Sequence, residues 1–298
     1  MRIHYSECPA CKSAEIAKAL VAKDDTVSKE NFEIWKCAVC GLLFTQDIPN
    51  QASIGQYYKA SSYVSHSDTK DGLINKLYHR VRKITLKQKV EMVKKYTGKS
   101  SGVVLDIGSG TGAFLNELSK AGWESFGLEP DADARMVAEK LYGIKARPSH
   151  EIYELPAKSF DAITLWHVLE HVHDLHGYIH KFSDILKDTG VLFIAVPNHT
   201  SGDARKYGDH WAAWDVPRHL YHFSPASIER LMKQHHFRLD KTLPMWFDSF
   251  YVSMLSEKIA KGSINYVSAF TNGLASNMNA AKDTGLCSSI IYIFKRAD

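Results

Sequence analysis

The stretch Val103-Val-Leu-Asp-Ile-Gly-Ser-Gly-Thr-Gly112 decides how the rest of this chain is read. Val103 to Ile107 is short, apolar and rich in β-branched residues, the pattern of a strand buried on both faces. Gly108, Gly110 and Gly112 follow at once. Ala113 to Ala121 then reads as a helix, with Phe114, Leu115 and Leu118 on one side and Gly122 as its stop. Ser125-Phe-Gly-Leu128 predicts a second strand, ending on Glu129-Pro130. Strand, glycine turn, helix and a strand ending in an acid form the first half of a nucleotide-binding βαβ unit. An acid about twenty residues after the turn suits ribose hydroxyls.

Small differences decide the ligand. A dinucleotide loop spaces its glycines G-x-G-x-x-G and offers amide N–H groups to a pyrophosphate. Here the spacing is G-x-G-x-G, and Asp106 stands two residues before the first glycine. A carboxylate there repels a diphosphate and suits a ligand carrying an ammonium and a sulfonium. A Walker loop is excluded because no Gly-Lys-Ser/Thr closes the turn. Asp106-Ile-Gly-Ser-Gly-Thr-Gly112, with Glu129 behind it, resembles motif I of the class I S-adenosylmethionine-dependent methyltransferases.

That resemblance implies a Rossmann-like, doubly wound α/β fold with a seven-stranded, mostly parallel sheet. It implies cofactor binding by Asp106, Gly108, Ser109, Gly110 and Gly112 at the methionine end, and by Glu129 and Pro130 at the ribose. Trp166-His-Val-Leu-Glu-His171 matches the family's segment after the fourth strand, so Trp166 and His167 are expected along the bound cofactor. The tyrosine-rich connector from Gln51 to Thr69 looks like the family's lid, which brings in Tyr58 and His66.

Composition is that of an ordinary soluble protein. The chain has 298 residues, 45% hydrophobic and 23% charged, with a formal net charge of +4. No secretory signal and no long apolar run is evident, so a cytoplasmic protein without a transmembrane segment is expected. Four of the five cysteines form Cys8-Pro-Ala-Cys11 and Cys37-Ala-Val-Cys40, with an alternating strand from Phe32 to Lys36 between them. This spacing predicts a Cys₄ zinc ribbon, a small module ahead of the main domain whose Zn2+ is structural. Little basic or aromatic surface accompanies it, which disfavours nucleic acid as a partner.

Taken in order, three segments are expected: a zinc ribbon over 1–50, a lid and basic helix over 51–100, and a methyltransferase domain over 101–298. Asp71 to Tyr96 reads as helical and basic. Asp131 to Leu141 is an amphipathic helix, Ile144 to Ala146 a weak third strand, and Phe160 to Trp166 a clear fourth. His167-Val-Leu-Glu170-His171 also spells the inverted zinc-protease motif, but it begins at a strand end instead of mid-helix. His180 to Leu186 continues as helix and Val191 to Val196 as a buried strand. His199 to Phe223 is long for a loop and loaded with Asp, Tyr, Trp, Arg and His, the mark of a substrate segment. It leads into a helix over Ile228–His236, capped by Ser224 or Ser227. Phe237 to Leu243 and Ser288 to Phe294 complete the strands. An apolar helical insertion over 246–281 offers a cap on the substrate or a homodimer face.

The expected reaction is methyl transfer to a small-molecule acceptor: a sugar, an envelope-polysaccharide intermediate or a quinone-like ring. The ribbon ahead of the core is similar to the deoxysugar C-methyltransferases, although their large C-terminal domain has no counterpart here. An oxygen acceptor needs a base, and histidine titrates near neutrality. His219 leads the candidates, with His171, His222 and His210 behind it. An RNA methyltransferase gripping phosphates with the ribbon and basic helix, a non-catalytic cofactor-binding module and a nicotinamide dehydrogenase are the competing readings.

Overall fold

Hydrophobic periodicity and chain punctuation place most elements in the computed structural model, which describes residues 1–58 and 73–297, and the backbone alone over 73–79. The first fifty residues form β1 (Arg2–Ile3), β2 (Ile16–Lys23), β3 (Asn31–Cys37), β4 (Leu43–Thr45) and β5 (Ile48–Pro49). Next come α1 (Leu73–Thr97), β6 (Val103–Ile107), α2 (Ala113–Lys120), β7 (Glu124–Leu128) and α3 (Ala132–Tyr142). The middle of the chain supplies β8 (Phe160–Trp166), α4 (Leu175–Ile185), β9 (Leu186–Pro197), α5 (Gly202–Tyr207) and β10 (Tyr221–His222). It closes with α6 (Pro225–Gln234), β11 (Phe237–Pro244), α7 (Asp248–Lys261), α8 (Tyr266–Lys282) and β12 (Ser289–Arg296).

A six-stranded sheet runs in the order β11-β12-β9-β8-β6-β7, a four-stranded sheet in the order β10-β4-β3-β2, and β1 pairs with β5. β6 is parallel to both neighbours, with Asp106 opposite Gly127 on one side and Thr164 on the other. The chain leaves β6 toward β7 and returns to β8 on the opposite flank. The strand order therefore reverses at the carboxyl end of β6, where α/β sheets bind ligands.

The described residues supply six strands to this sheet where seven were expected. Near Ile144–Ala146 there is only an isolated parallel bridge, Leu128 to Arg147. The Arg147 N–H donates to Gly127 O and its carbonyl accepts from Glu129 N–H, both at 2.9 Å. Pro148 follows and leads into a 3-10 turn over Ser149–Glu154, which ends the extended run. β9 begins at Leu186, earlier than its apolar run, and α4 begins at Leu175, before His180. At the other end Ser224 and Ser227 cap α6 reciprocally, each hydroxyl meeting the other's backbone.

Two compact units emerge. One gathers the chain up to residue 58, His167–Ile179 and Ile194–Ile293; the other holds the chain from 73 to Trp166, His180–Phe193 and the last few residues. In the first unit Phe32, Ile34 and Leu43 share a buried core with Tyr57, Trp211, Trp214 and Val216. The segment 199–223 is thus packed and turned, and its Tyr221 and His222 pair with Phe44 and Leu43 of β4. Arg218, 1% exposed, ties it down: its guanidinium donates to Asp215 at 2.7–3.1 Å, to Asp24 at 3.0 Å and to Tyr57 O at 2.9 Å. In the same unit the insertion forms α7 and α8. α8 buries Ala269, Asn272, Gly273, Ser276 and Ala280 and exposes Tyr266, Phe270, Leu274 and Met278. Its large apolar side chains face outward, the reverse of an ordinary amphipathic helix.

Candidate functional site

The second unit carries the glycine turn. Gly108, Gly110 and Gly112 all hold positive φ, at 71°, 53° and 78°. The left-handed region admits glycine without penalty and lets the chain turn tightly from β6 into α2. Gly112 N-caps α2 without a side-chain cap, and a Cβ there would meet Ala138 Cβ at 2.9 Å. At Gly110 a Cβ would meet nothing within 4 Å, so space lies open above the turn.

Two buried carboxylates flank this space. Asp106 is 2% exposed and accepts from the Thr164 hydroxyl at 2.6 Å. Burial pushes its carboxyl up to about 7, against the pull of Thr164 and of the Lys89 ammonium. Glu129, at the end of β7, accepts from Gly110 N–H at 2.7 Å and Asp131 N–H at 3.0 Å, and burial raises its pKa too. Asp131 caps α3 directly behind the Glu129-Pro130 corner. Ser109 Oγ and Trp166 Nε1 are buried without a hydrogen-bond partner. Trp166 packs edge-to-face on Phe114 at 5.7 Å, and Lys89 Nζ stands 4.1 Å from its ring centre. Thr164 and Lys89 are participants that sequence reasoning missed. Thr164 was legible in principle, as the polar residue that alternation places beside Asp106 in the next strand.

These residues fit S-adenosylmethionine on chemical grounds. Anionic side chains, two orphaned donors and an uncapped glycine turn suit a ligand with cationic centres and hydroxyls. No lysine lies within the turn to hold a phosphate.

The first unit holds the histidines. His167, at φ 58°, turns Nε2 to Asp248 at 2.8 Å and lies 3.4 Å from Glu170 through Nδ1. Burial opposes its charge, but Asp248 and Glu170 outweigh that and raise its pKa to about 10. His171 Nδ1 lies 2.9 Å from Arg218 O and 3.0 Å from the Tyr58 hydroxyl, and burial and His219 lower its pKa to about 4. Tyr58 therefore meets His171, while His66 lies outside the described residues. His219 Nδ1 donates to Ala213 O at 2.8 Å, and its ring meets that of His171 at 4.6 Å. His222 is buried against Trp214, with Nε2 at 3.1 Å from the Thr45 hydroxyl, and burial drives its pKa well down. His210 sits half-exposed beside Asp209 on a surface turn, apart from the others. The fold brings His171, His219 and His222 together and leaves His210 out.

The four cysteines converge as their spacing predicts. Cys8 and Cys40 stand 3.5 Å apart at sulfur, as do Cys11 and Cys37, and all four sulfurs lie within 4.8 Å of one another. No disulfide joins them. Tetrahedral Zn–S bonds of about 2.3 Å set sulfurs about 3.8 Å apart, so the cluster fits a zinc ion.

Comparison with known proteins adds to this geometry. A ubiquinone biosynthesis O-methyltransferase of Rhodopseudomonas palustris (strain BisB5) is 28% identical over 101 residues, which cover 32% of this chain and 40% of that protein. An uncharacterized methyltransferase of Anoxybacillus flavithermus is 29% identical over 156 residues, 48% of this chain and 73% of that one. The match thus spans well under half the length of the first of these relatives. Among solved structures, a candidate sarcosine dimethylglycine methyltransferase from Galdieria sulphuraria aligns with a TM-score of 0.53 at 15% identity. It covers 78% of this chain and 90% of that one, and shows the Rossmann-like α/β methyltransferase fold. The model of a methyltransferase domain matches residues 78–242, more than half of the 298. The chain belongs to the methyltransferase domain family.

Proposed function

We propose that this chain transfers a methyl group from S-adenosylmethionine to a small-molecule acceptor. One observation carries the reading: a buried acid, Asp106, just ahead of three positive-φ glycines, with open space at the middle one, Gly110. The cofactor supplies an electrophilic methyl on a sulfonium; the chain supplies position and field. Asp106 answers the ammonium of the methionine moiety, with Gly108, Ser109, Gly110 and Gly112 lining its path. Glu129 has lone pairs to spare after its two backbone bonds and takes the ribose hydroxyls, with Pro130 closing the corner. Trp166 and His167 border the cofactor, and Tyr58 and His66 belong to its lid. For an oxygen acceptor, proton removal falls to the group led by His219 and His171, with His222 and His210 as lesser candidates.

The acceptor is a sugar, an envelope-polysaccharide intermediate or a quinone-like ring. The name of the Rhodopseudomonas relative favours the last. Zn2+ at Cys8, Cys11, Cys37 and Cys40 is structural in this reading, since four thiolates leave no open position. The outward apolar face of α8 pairs with a second copy of the chain. Among the described residues no helix is long and apolar enough to cross a membrane.

Calorimetry with S-adenosylmethionine and S-adenosylhomocysteine tests the core of the reading. Micromolar binding of both, with neither NAD nor ATP competing, is expected. Uptake of NAD or ATP with indifference to the sulfur ligands would end it. Turnover against sugars and phenols then identifies the acceptor.

A further inference from the structure

Glu170 lies in a 3-10 turn, Leu169–His171, close behind β8. It is fully buried, and neither carboxylate oxygen has a hydrogen-bond partner. Of the cationic groups around it, His167 makes one long ion pair, with Nδ1 at 3.4 Å from Oε1. His167 keeps its 2.8 Å contact with Asp248, and Arg218 is held by Asp215 and Asp24. A buried carboxylate met only by one long imidazole contact keeps much of the desolvation cost of an ion. Something that binds here would offset that cost.

The neighbouring side chains indicate what binds. His171 and His219 each place Nδ1 on a backbone carbonyl, Arg218 O and Ala213 O. A proton held at Nδ1 by a carbonyl fixes the tautomer whose Nε2 is a lone pair, the arrangement used by metal-ligating histidines. One donor atom from each of Glu170, His171 and His219 lies within 4.8 Å of the other two. Asp215 Oδ2, 3.9 Å from His219 Nε2, adds negative potential without itself joining the group.

We propose that Glu170, His171 and His219 form a second metal site, holding a divalent transition-metal cation such as Zn2+, Fe2+ or Mn2+ by two imidazoles and one carboxylate. Mg2+ and Ca2+ prefer all-oxygen shells, so the two nitrogens select against them. Three protein ligands leave coordination positions open, unlike the closed four-cysteine site. An open position would take an oxygen ligand such as a hydroxyl. The cation lowers its pKa, the O–H bond breaks with its electron pair left on oxygen, and the proton passes to water. With the cation bound, the role given above to His171 and His219 becomes that of ligands.

The test loads the full chain, the Glu170→Gln variant and the His219→Ala variant with Co2+ and records metal content and absorption. Tetrathiolate cobalt shows intense near-ultraviolet charge transfer, whereas cobalt on nitrogen and oxygen shows only weak visible bands. The expected result is about two equivalents in the unaltered chain, one of each spectral type, falling to about one thiolate-bound equivalent in either variant with unchanged circular dichroism. Cobalt bound in the unaltered chain with thiolate signatures only would overturn the proposal, whether or not the variants fold. So would nitrogen–oxygen bands that persist in both folded variants. None of these readouts involves S-adenosylmethionine, so failure of the methyl-transfer reading leaves the result distinct.

Discussion

Asp106 concentrates the chemistry of the glycine turn in one side chain. Its carboxyl, raised to about 7 by burial, is protonated in the ligand-free protein at lower pH. A ligand presenting an ammonium binds the ionised form, so binding releases a proton there. Affinity for S-adenosylhomocysteine should therefore fall about tenfold per pH unit below pH ~7 and level off above it. Calorimetry across pH 5.5–8.5, roughly bracketing that value, checks the slope. The Asp106→Asn variant should lose the pH dependence and bind roughly 10- to 100-fold more weakly, the worth of a charged hydrogen bond. Arg218 is the structural counterpart. Arg218→Ala strands Asp24 and Asp215 without their cation and should cost about 3–5 kcal/mol, read from the urea midpoint. Asp106 was legible because the glycines that mark its turn are its neighbours in sequence. Arg218 was passed over as one of many polar residues in its segment, because its partner Asp24 lies 194 positions away.

Between elements, two glycines only two residues apart should respond differently. Gly112→Ala places a Cβ at 2.9 Å from Ala138 in a backbone with φ of 78°, and should lose about 1–3 kcal/mol of stability. Gly110→Ala meets no protein atom within 4 Å, so its larger effect should be on cofactor affinity, because the new methyl enters the space assigned to the ligand. Paired urea titrations and calorimetry separate the two. Asp161 joins elements across the second unit: it pairs with Lys99 after α1 and Lys187 of β9, and accepts from Val103 N–H at 2.8 Å. Although burial opposes ionisation, these partners hold its pKa down at about 2. A depressed carboxylate stabilises the fold fully above its unfolded pKa of about 3.9 and loses that contribution as pH falls toward 2. The unaltered chain should exceed Asp161→Asn by about 2 kcal/mol at pH 6, and the difference should shrink by pH ~2.5. The β6–α2–β7 run matched its sequence pattern to within a residue or so, since period and punctuation are local. The weak third strand did not form, because the 3-10 turn after Pro148 ends the extended run after one bridge.

For the molecule as a whole, metal removal is the broadest test. On the zinc reading, chelation should release one ion per four-cysteine cluster and lower the unfolding midpoint, with Cys37→Ser reproducing the effect. Since Phe32, Ile34 and Leu43 of β3 and β4 share a core with Trp211 and Trp214, tryptophan fluorescence should change along with it. On the homodimer reading, Leu274→Lys on the outward face of α8 should shift the mass seen by light scattering from two chains to one. Read alone, the amino-acid sequence determined the glycine-turn half of the sheet, the four-cysteine cluster and the methyltransferase family. Each of these is written in spacings of a few residues, where backbone geometry and side-chain period act directly. Only the tertiary structure decided that β10 extends the β4-β3-β2 sheet, that Arg218 bridges Asp24 and Asp215, and that Glu170 lies buried beside two histidines. Those facts depend on burial and on contacts between distant parts of the chain, and no local period encodes which buried charge will find its partner.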